Sequence, residues 1–148
     1  MYFLLFLVGA AIALSALKII PFSPIDIAFT SFYLTLACKT INQLFAKIFK
    51  VGTNVESSLI TGLILSLIVG SVNWIPSFEG MTKNLLFLTA VAAFAMGSKY
   101  ILIYKGKHIF NPAAFGVVAS ALVLNQGASW WIGTPWMVVP TLIGGLFV

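Results

Sequence analysis

The stretch from Lys47 to Leu63 reads KIFKVGTNVESSLITGL. Two lysines, Lys47 and Lys50, lead through Asn54, Glu56, Ser57 and Ser58 into an apolar run that carries Thr61 and Gly62. A second stretch, Lys99 to Ala113, reads KYILIYKGKHIFNPA and repeats the arrangement: Lys105, Lys107 and His108 lead through Asn111 and Pro112 into apolar residues. Such starts mark helix N-termini. Ser and Asn side chains accept hydrogen bonds from first-turn amides that have no partner inside the helix, and Pro in the first position has no amide to leave unpaired.

Outward from these two stretches the chain is almost wholly apolar. Of 148 residues, 61% are hydrophobic and 7% charged, with a mean hydropathy of +1.10. A soluble domain of this size needs a polar outer face on most of its elements, and these charges are too few to build one. The composition therefore predicts an all-α, polytopic transmembrane helical bundle forming a single membrane domain over 1–148. About six membrane segments are expected, near 2–17, 27–45, 57–72, 85–104, 113–124 and 130–148. Two of them, 57–72 and 113–124, are short or broken. Twelve residues of helix rise only about 18 Å, against a hydrocarbon core of roughly 30 Å. Pro21 and Pro24 are expected to break the chain before the second segment, which Asp26 can cap. Lys39 and Asn42 are expected to snorkel to the surface, and Trp74, Trp130, Trp131 and Trp136 to form an interfacial belt. The apolar run up to Val148 predicts that the domain belongs to a longer polypeptide.

All eight basic side chains are lysines, giving a net charge of +5. Lys39, Lys47 and Lys50 flank the second connection, and Lys99, Lys105 and Lys107 the fourth. Lysine-rich loops stay in the cytoplasm, so loops 46–56 and 105–112 and both termini are expected there, in a cell inner (plasma) membrane. Nucleic acid is not an implied partner, because no basic face with interleaved aromatics is available to follow phosphates. His108 is the only histidine and Cys38 the only cysteine. Haem needs two axial ligands and a metal site several donors, so neither is expected. No nucleophile has an identifiable base partner, and the segment is not expected to be catalytic alone.

Two readings of the capped starts remain open. One is plain capping, which every helix needs. The other is a ligand site, because a helix start inside a membrane attracts an anion or an electron-rich carbonyl edge, and short spans in matching places point to binding sites. Lys99 is open in the same way: its ammonium can snorkel, or it can offer positive charge to a ligand or to Glu56.

The run from Glu56 to Leu65, followed by Lys99 and then Phe110, Asn111, Pro112, Ala113 and Ala114, resembles the NqrB/RnfD family, the flavin-carrying membrane subunits of the sodium-pumping NADH:quinone oxidoreductase and the Rnf electron-transport complex. The likeness covers about residues 50–125. With Ala128 to Thr134, it is similar in particular to RnfD-like membrane domains fused to a cytoplasmic FAD- and NAD(P)-binding oxidoreductase module. The resemblance implies a membrane-embedded electron-transfer domain. Reducing equivalents would move through a noncovalent flavin, FMN or riboflavin, or through a coupled FAD/NAD(P)H reductase module or other electron-transport subunits. It implies Ser58, Thr61, Gly62, Lys99, Asn111 and Pro112 as cofactor-binding residues. Family members hold FMN covalently on a threonine in a later serine, glycine, alanine, threonine string; Thr61 lies in the earlier segment, so covalent attachment is not implied. Outside the resemblance, the sequence leaves a small-solute or ion transporter and a membrane anchor without ligand as alternatives.

Overall fold

In the computed structural model, residues 1–69, 78–104, 107–126 and 128–146 are described, the side chains of residues 78–81 and 107 excepted. They form six α-helices: α1 (Tyr2–Ala16), α2 (Pro24–Phe49), α3 (Val55–Val69), α4 (Phe78–Ile101), α5 (Pro112–Leu124) and α6 (Pro135–Leu146). A two-stranded antiparallel hairpin, β1 (Ile103–Tyr104) and β2 (Lys107–His108), joins α4 to α5. A 3-10 turn, Trp131–Gly133, precedes α6. The all-α expectation holds. The hairpin was not expected; its strands are two residues each.

Pro24 opens α2 instead of separating it from what precedes. Ser23 takes the extended cap conformation, Pro24 occupies the first turn, and Asp26 places its negative charge in that turn, where the helix dipole favours it. Asp26 is not the cap expected from sequence: Ser23 holds the cap position and makes no side-chain cap bond. The helix runs on past residue 45 until Lys50 turns left-handed at φ 53°. The third segment starts at Val55, not at 57; its predicted end at 72 lies outside the described residues. The sixth divides into the 3-10 turn and α6, with Pro140 inside the helix.

Helix α3 lies at the centre. On one side Leu65 packs with Leu34, Cys38, Leu88, Met96 and Val117 of α2, α4 and α5. On the other, Leu63 and Leu67 pack with Leu7, Ala11, Ile27, Trp131 and Met137. A helix enclosed on both sides carries no polar stripe, which explains its near-uniform apolar sequence. Its buried hydroxyls bond within the helix: Ser58 Oγ to Val55 O at 2.6 Å, Thr61 Oγ1 to Ser57 O at 2.8 Å and Ser66 Oγ to Leu63 O at 2.8 Å.

Glycines set the closest approaches. A Cβ at Gly62 would stand 2.6 Å from Thr35 Cα and 2.9 Å from Leu34 O, so α3 lies backbone against backbone on α2. At Gly116 it would meet Ala95 Cβ at 2.8 Å and Val91 O at 2.9 Å, the equivalent contact of α5 on α4. Helices α2 and α4 run alongside in the same direction, joined by the hydroxyls of Tyr33 and Thr89 at 2.7 Å and by Tyr100 bonding to Asn42.

Two polar and aromatic expectations change. Asn42 does not snorkel: it is 2% exposed, its Nδ2 donates to Thr53 Oγ1, and the Tyr100 hydroxyl lies 2.8 Å from its Oδ1. Trp131 is no belt residue. It is 3% exposed, against 56% for Trp130, and its Nε1 donates to Ser66 O at 3.0 Å. Phe22 meets its ring edge-on at 5.8 Å. The Trp130 amide donates to Ile68 O at 2.9 Å, so the segment before α6 satisfies two carbonyls near the C-terminal end of α3. Trp74 lies outside the described residues. Among those residues, one helical stretch, Thr82–Ile101, is long and apolar enough to cross a membrane; α1, α3, α5 and α6 are apolar but shorter.

Gly62→Leu and Gly116→Leu should each destabilise the bundle by roughly 1–3 kcal/mol or more, because the facing backbone cannot move aside. Gly9→Ala, where nothing lies within 4 Å, should be neutral or stabilising by about 0.5–1 kcal/mol. Thermal unfolding in detergent checks the contrast, and equal effects at all three positions would refute the packing role.

Candidate functional site: a cleft between two helix N-termini

The α3 and α5 N-termini open at the same end of the bundle, where α2 and α4 finish. At α3 the capping side chain is Asn54, whose Oδ1 accepts from the Ser57 amide at 3.1 Å. Ser57 and Ser58, the expected caps, lie inside the first turn. Asn111 caps α5 as its sequence predicts: Oδ1 accepts from the Ala113 amide at 2.9 Å and the Ala114 amide at 3.4 Å, and Pro112 follows in the first turn.

Between the two starts lies a cleft of about 310 Å³, lined by Asn54, Glu56, Ser57, Ile60, Thr61, Ile64, Lys99, His108, Asn111 and Pro112. A second cleft, of about 280 Å³, adjoins it on the α2 side; Asn54, Ser57, Lys99 and His108 line both. The hairpin places His108 over these openings, its strand partner being Ile103. Asn42, Val51, Gly52, Tyr100 and Ile103 complete the second cleft. The Tyr100–Asn42–Thr53 bonds therefore hold the loop that delivers Asn54 to its capping position.

Lys99 stands where the clefts meet. Its residue is 7% exposed, and Nζ donates to Ser57 Oγ at 3.1 Å and Ser57 O at 3.2 Å. The side chain thus turns into the bundle instead of snorkelling. Among the described residues no carboxylate forms an ion pair with it, and Glu56 lines the same cleft without doing so. An ammonium has three N–H donors; two go to Ser57 and one is left for the cleft.

Four of the six residues singled out from sequence, Thr61, Lys99, Asn111 and Pro112, line one cleft. The other two do not. Ser58 is fully buried and bonded to Val55 O, and Gly62 faces the α2 backbone. Asn54, Ser57 and His108 were missed as a set. Asn54 carried a readable signal, since an Asn three residues before a Ser amide is a normal capping spacing. Nothing in the sequence could have paired Ser57 with Lys99, which lies 42 residues away.

The polar inventory is specific. Thr61 spends its hydroxyl hydrogen on Ser57 O and keeps its lone pairs as an acceptor. Asn54 and Asn111 commit their oxygens to helix amides and keep their NH₂ donors. Ile60 and Ile64 form an apolar wall. The cleft therefore offers a ligand several donors, a hydroxyl acceptor and an apolar wall.

Comparison with protein-family models, curated proteins and solved structures finds no match for this chain.

Asn111→Ala should cost about 1 kcal/mol of stability, while Asn111→Asp, which retains a capping oxygen, should cost less. Tyr100→Phe leaves Asn42 Oδ1 without its hydroxyl and should cost about 1–3 kcal/mol. Denaturant titration checks both, and an Asn111→Ala protein as stable as the parent would remove the cap from the account.

Proposed function

We propose that the chain is a membrane-embedded electron-transfer domain of the RnfD/NqrB type, with a noncovalent flavin, FMN or riboflavin, seated in the cleft between α3 and α5. The observation that carries this reading is the convergence of Thr61, Lys99, Asn111 and Pro112 on one cleft, since these residues belong to the pieces of sequence in which the family resemblance lies. The cleft volume of about 310 Å³ falls at the lower end of ligand pockets, roughly 300–1,000 Å³. The pyrimidine edge of an isoalloxazine ring alternates acceptor, donor and acceptor. Lys99, Asn54 and Asn111 supply donors, Thr61 supplies an acceptor, and Ile60 and Ile64 supply an apolar wall. When bound, the flavin would supply the two-electron chemistry that no side chain in this chain can perform.

In this reading the helices lie in the bilayer of the cell inner membrane as a polytopic bundle, with the cleft at its cytoplasmic face. Lys47 and Lys50 near the end of α2 favour that orientation, with Lys99 lining the cleft at the same end. The exposed large apolar residues, among them Leu5, Phe32, Leu86, Leu122 and Leu142, then face lipid. A cytoplasmic FAD/NAD(P)H-binding reductase module or another electron-transport subunit would deliver the electrons to this face. The α3 and α5 N-termini share one end of the bundle, which disfavours a carrier built on two opposed half-helices.

The purified full-length protein should show flavin absorbance, and Thr61→Val with Asn111→Leu should lower its flavin content several-fold. Full flavin retention in the double variant would place the flavin elsewhere, and its absence from the parent would leave an anchor or a carrier. In a Cys38→Ala background, cysteines at Lys50 and Lys107 should react with an impermeant thiol reagent only when the cytoplasmic face is exposed. Labelling from outside intact cells would overturn the orientation.

A further inference from the structure

We infer that Lys99 is the residue that sets how strongly the cleft favours the reduced over the oxidised form of its ligand. The inference rests on the flavin reading above. Lys99 is the cation of the cleft with a buried stem, fixed by two bonds to Ser57 and left with one N–H donor and no counter-charge among the described residues. Ser57 is itself held: its amide donates to Asn54 Oδ1 at 3.1 Å, and its carbonyl also accepts from Thr61 Oγ1 at 2.8 Å. The ammonium therefore cannot swing out to the surface without breaking both bonds to a residue that is itself held in place.

Oxidised isoalloxazine is neutral. Two electrons and one proton, together a hydride from a nicotinamide-type donor, leave the ring with one negative charge shared between its pyrimidine nitrogen and carbonyl oxygen. A fixed cation at that edge gains little from the neutral ring and much from the anion. The α3 and α5 N-termini add partial positive charge of the same sign. Glu56, exposed at the rim, opposes them from the more screened position. Lys99 is thus a positioning and tuning residue. It neither donates nor accepts electrons.

The test compares the flavin affinity of the purified full-length protein in both redox states, with dithionite as reductant, and measures the midpoint potential of the bound flavin. Lys99→Met should weaken binding of the reduced ring about tenfold more than that of the oxidised ring, the scale of one charge-assisted hydrogen bond. For a two-electron couple this ratio lowers the midpoint potential by about 30 mV. Lys99→Arg should restore the potential, and Ser57→Ala should shift it in the same direction by less. Should Lys99→Met not fold, Lys99→Gln keeps length and polarity without charge and carries the same expectation. Equal loss of both affinities with an unchanged potential would make Lys99 a structural residue and leave the flavin reading standing. A parent protein that binds no flavin overturns both.

Discussion

Two backbone contacts, α3 on α2 at Gly62 and α5 on α4 at Gly116, determine where everything else can lie. At both glycines the helices approach backbone to backbone, and the many close atom pairs this allows add up to a large dispersion gain. Each glycine lets a short helix lie against the long helix before it. Because α2 and α4 run in the same direction, the two short helices do as well, and their N-termini arrive side by side. The cleft is a geometric consequence of this packing before it is anything else.

Polar groups then divide according to what the packing leaves them. Buried on α3, the hydroxyls of Ser58 and Ser66 turn back onto carbonyls of their own helix. At the end of the bundle, Asn42, Thr53 and Tyr100 find one another. Lys99 finds only Ser57. The difference is one of position: Asn42 is enclosed by α4 and its own loop, whereas Lys99 points to where α3 and α5 part.

Much of this was readable in the sequence, and the misreadings have physical causes. Asn111 followed by Pro112 is legible because each residue suits only the start of a helix. Asn54 was passed over because Ser57 and Ser58 are also good caps, and composition does not say which of three polar residues has the extended backbone. Trp130 and Trp131 are identical to any pattern reading, yet one is exposed and the other is pinned to Ser66 O; the choice is made by the turn that follows α5. Gly62 looked like part of a site because it sits beside Thr61. On a helix, neighbours in sequence point about 100° apart, so one faces the cleft while the other faces α2.

Lys99 poses the sharpest energetic question. Setting an ammonium in a largely apolar bundle costs several kcal/mol when no carboxylate answers it, and an apolar side chain of similar volume is commonly neutral or better for stability. Two bonds to the neutral Ser57 recover part of that cost and cannot recover the loss of hydration. Methionine would fill the same volume without the two bonds to Ser57 and without the cost of burying a charge. Compensation for Lys99 must come from outside the chain, through water in the open cleft or through a ligand that brings negative charge. Water offsets the cost without making the position useful; only a ligand whose charge changes turns the buried cation into a device.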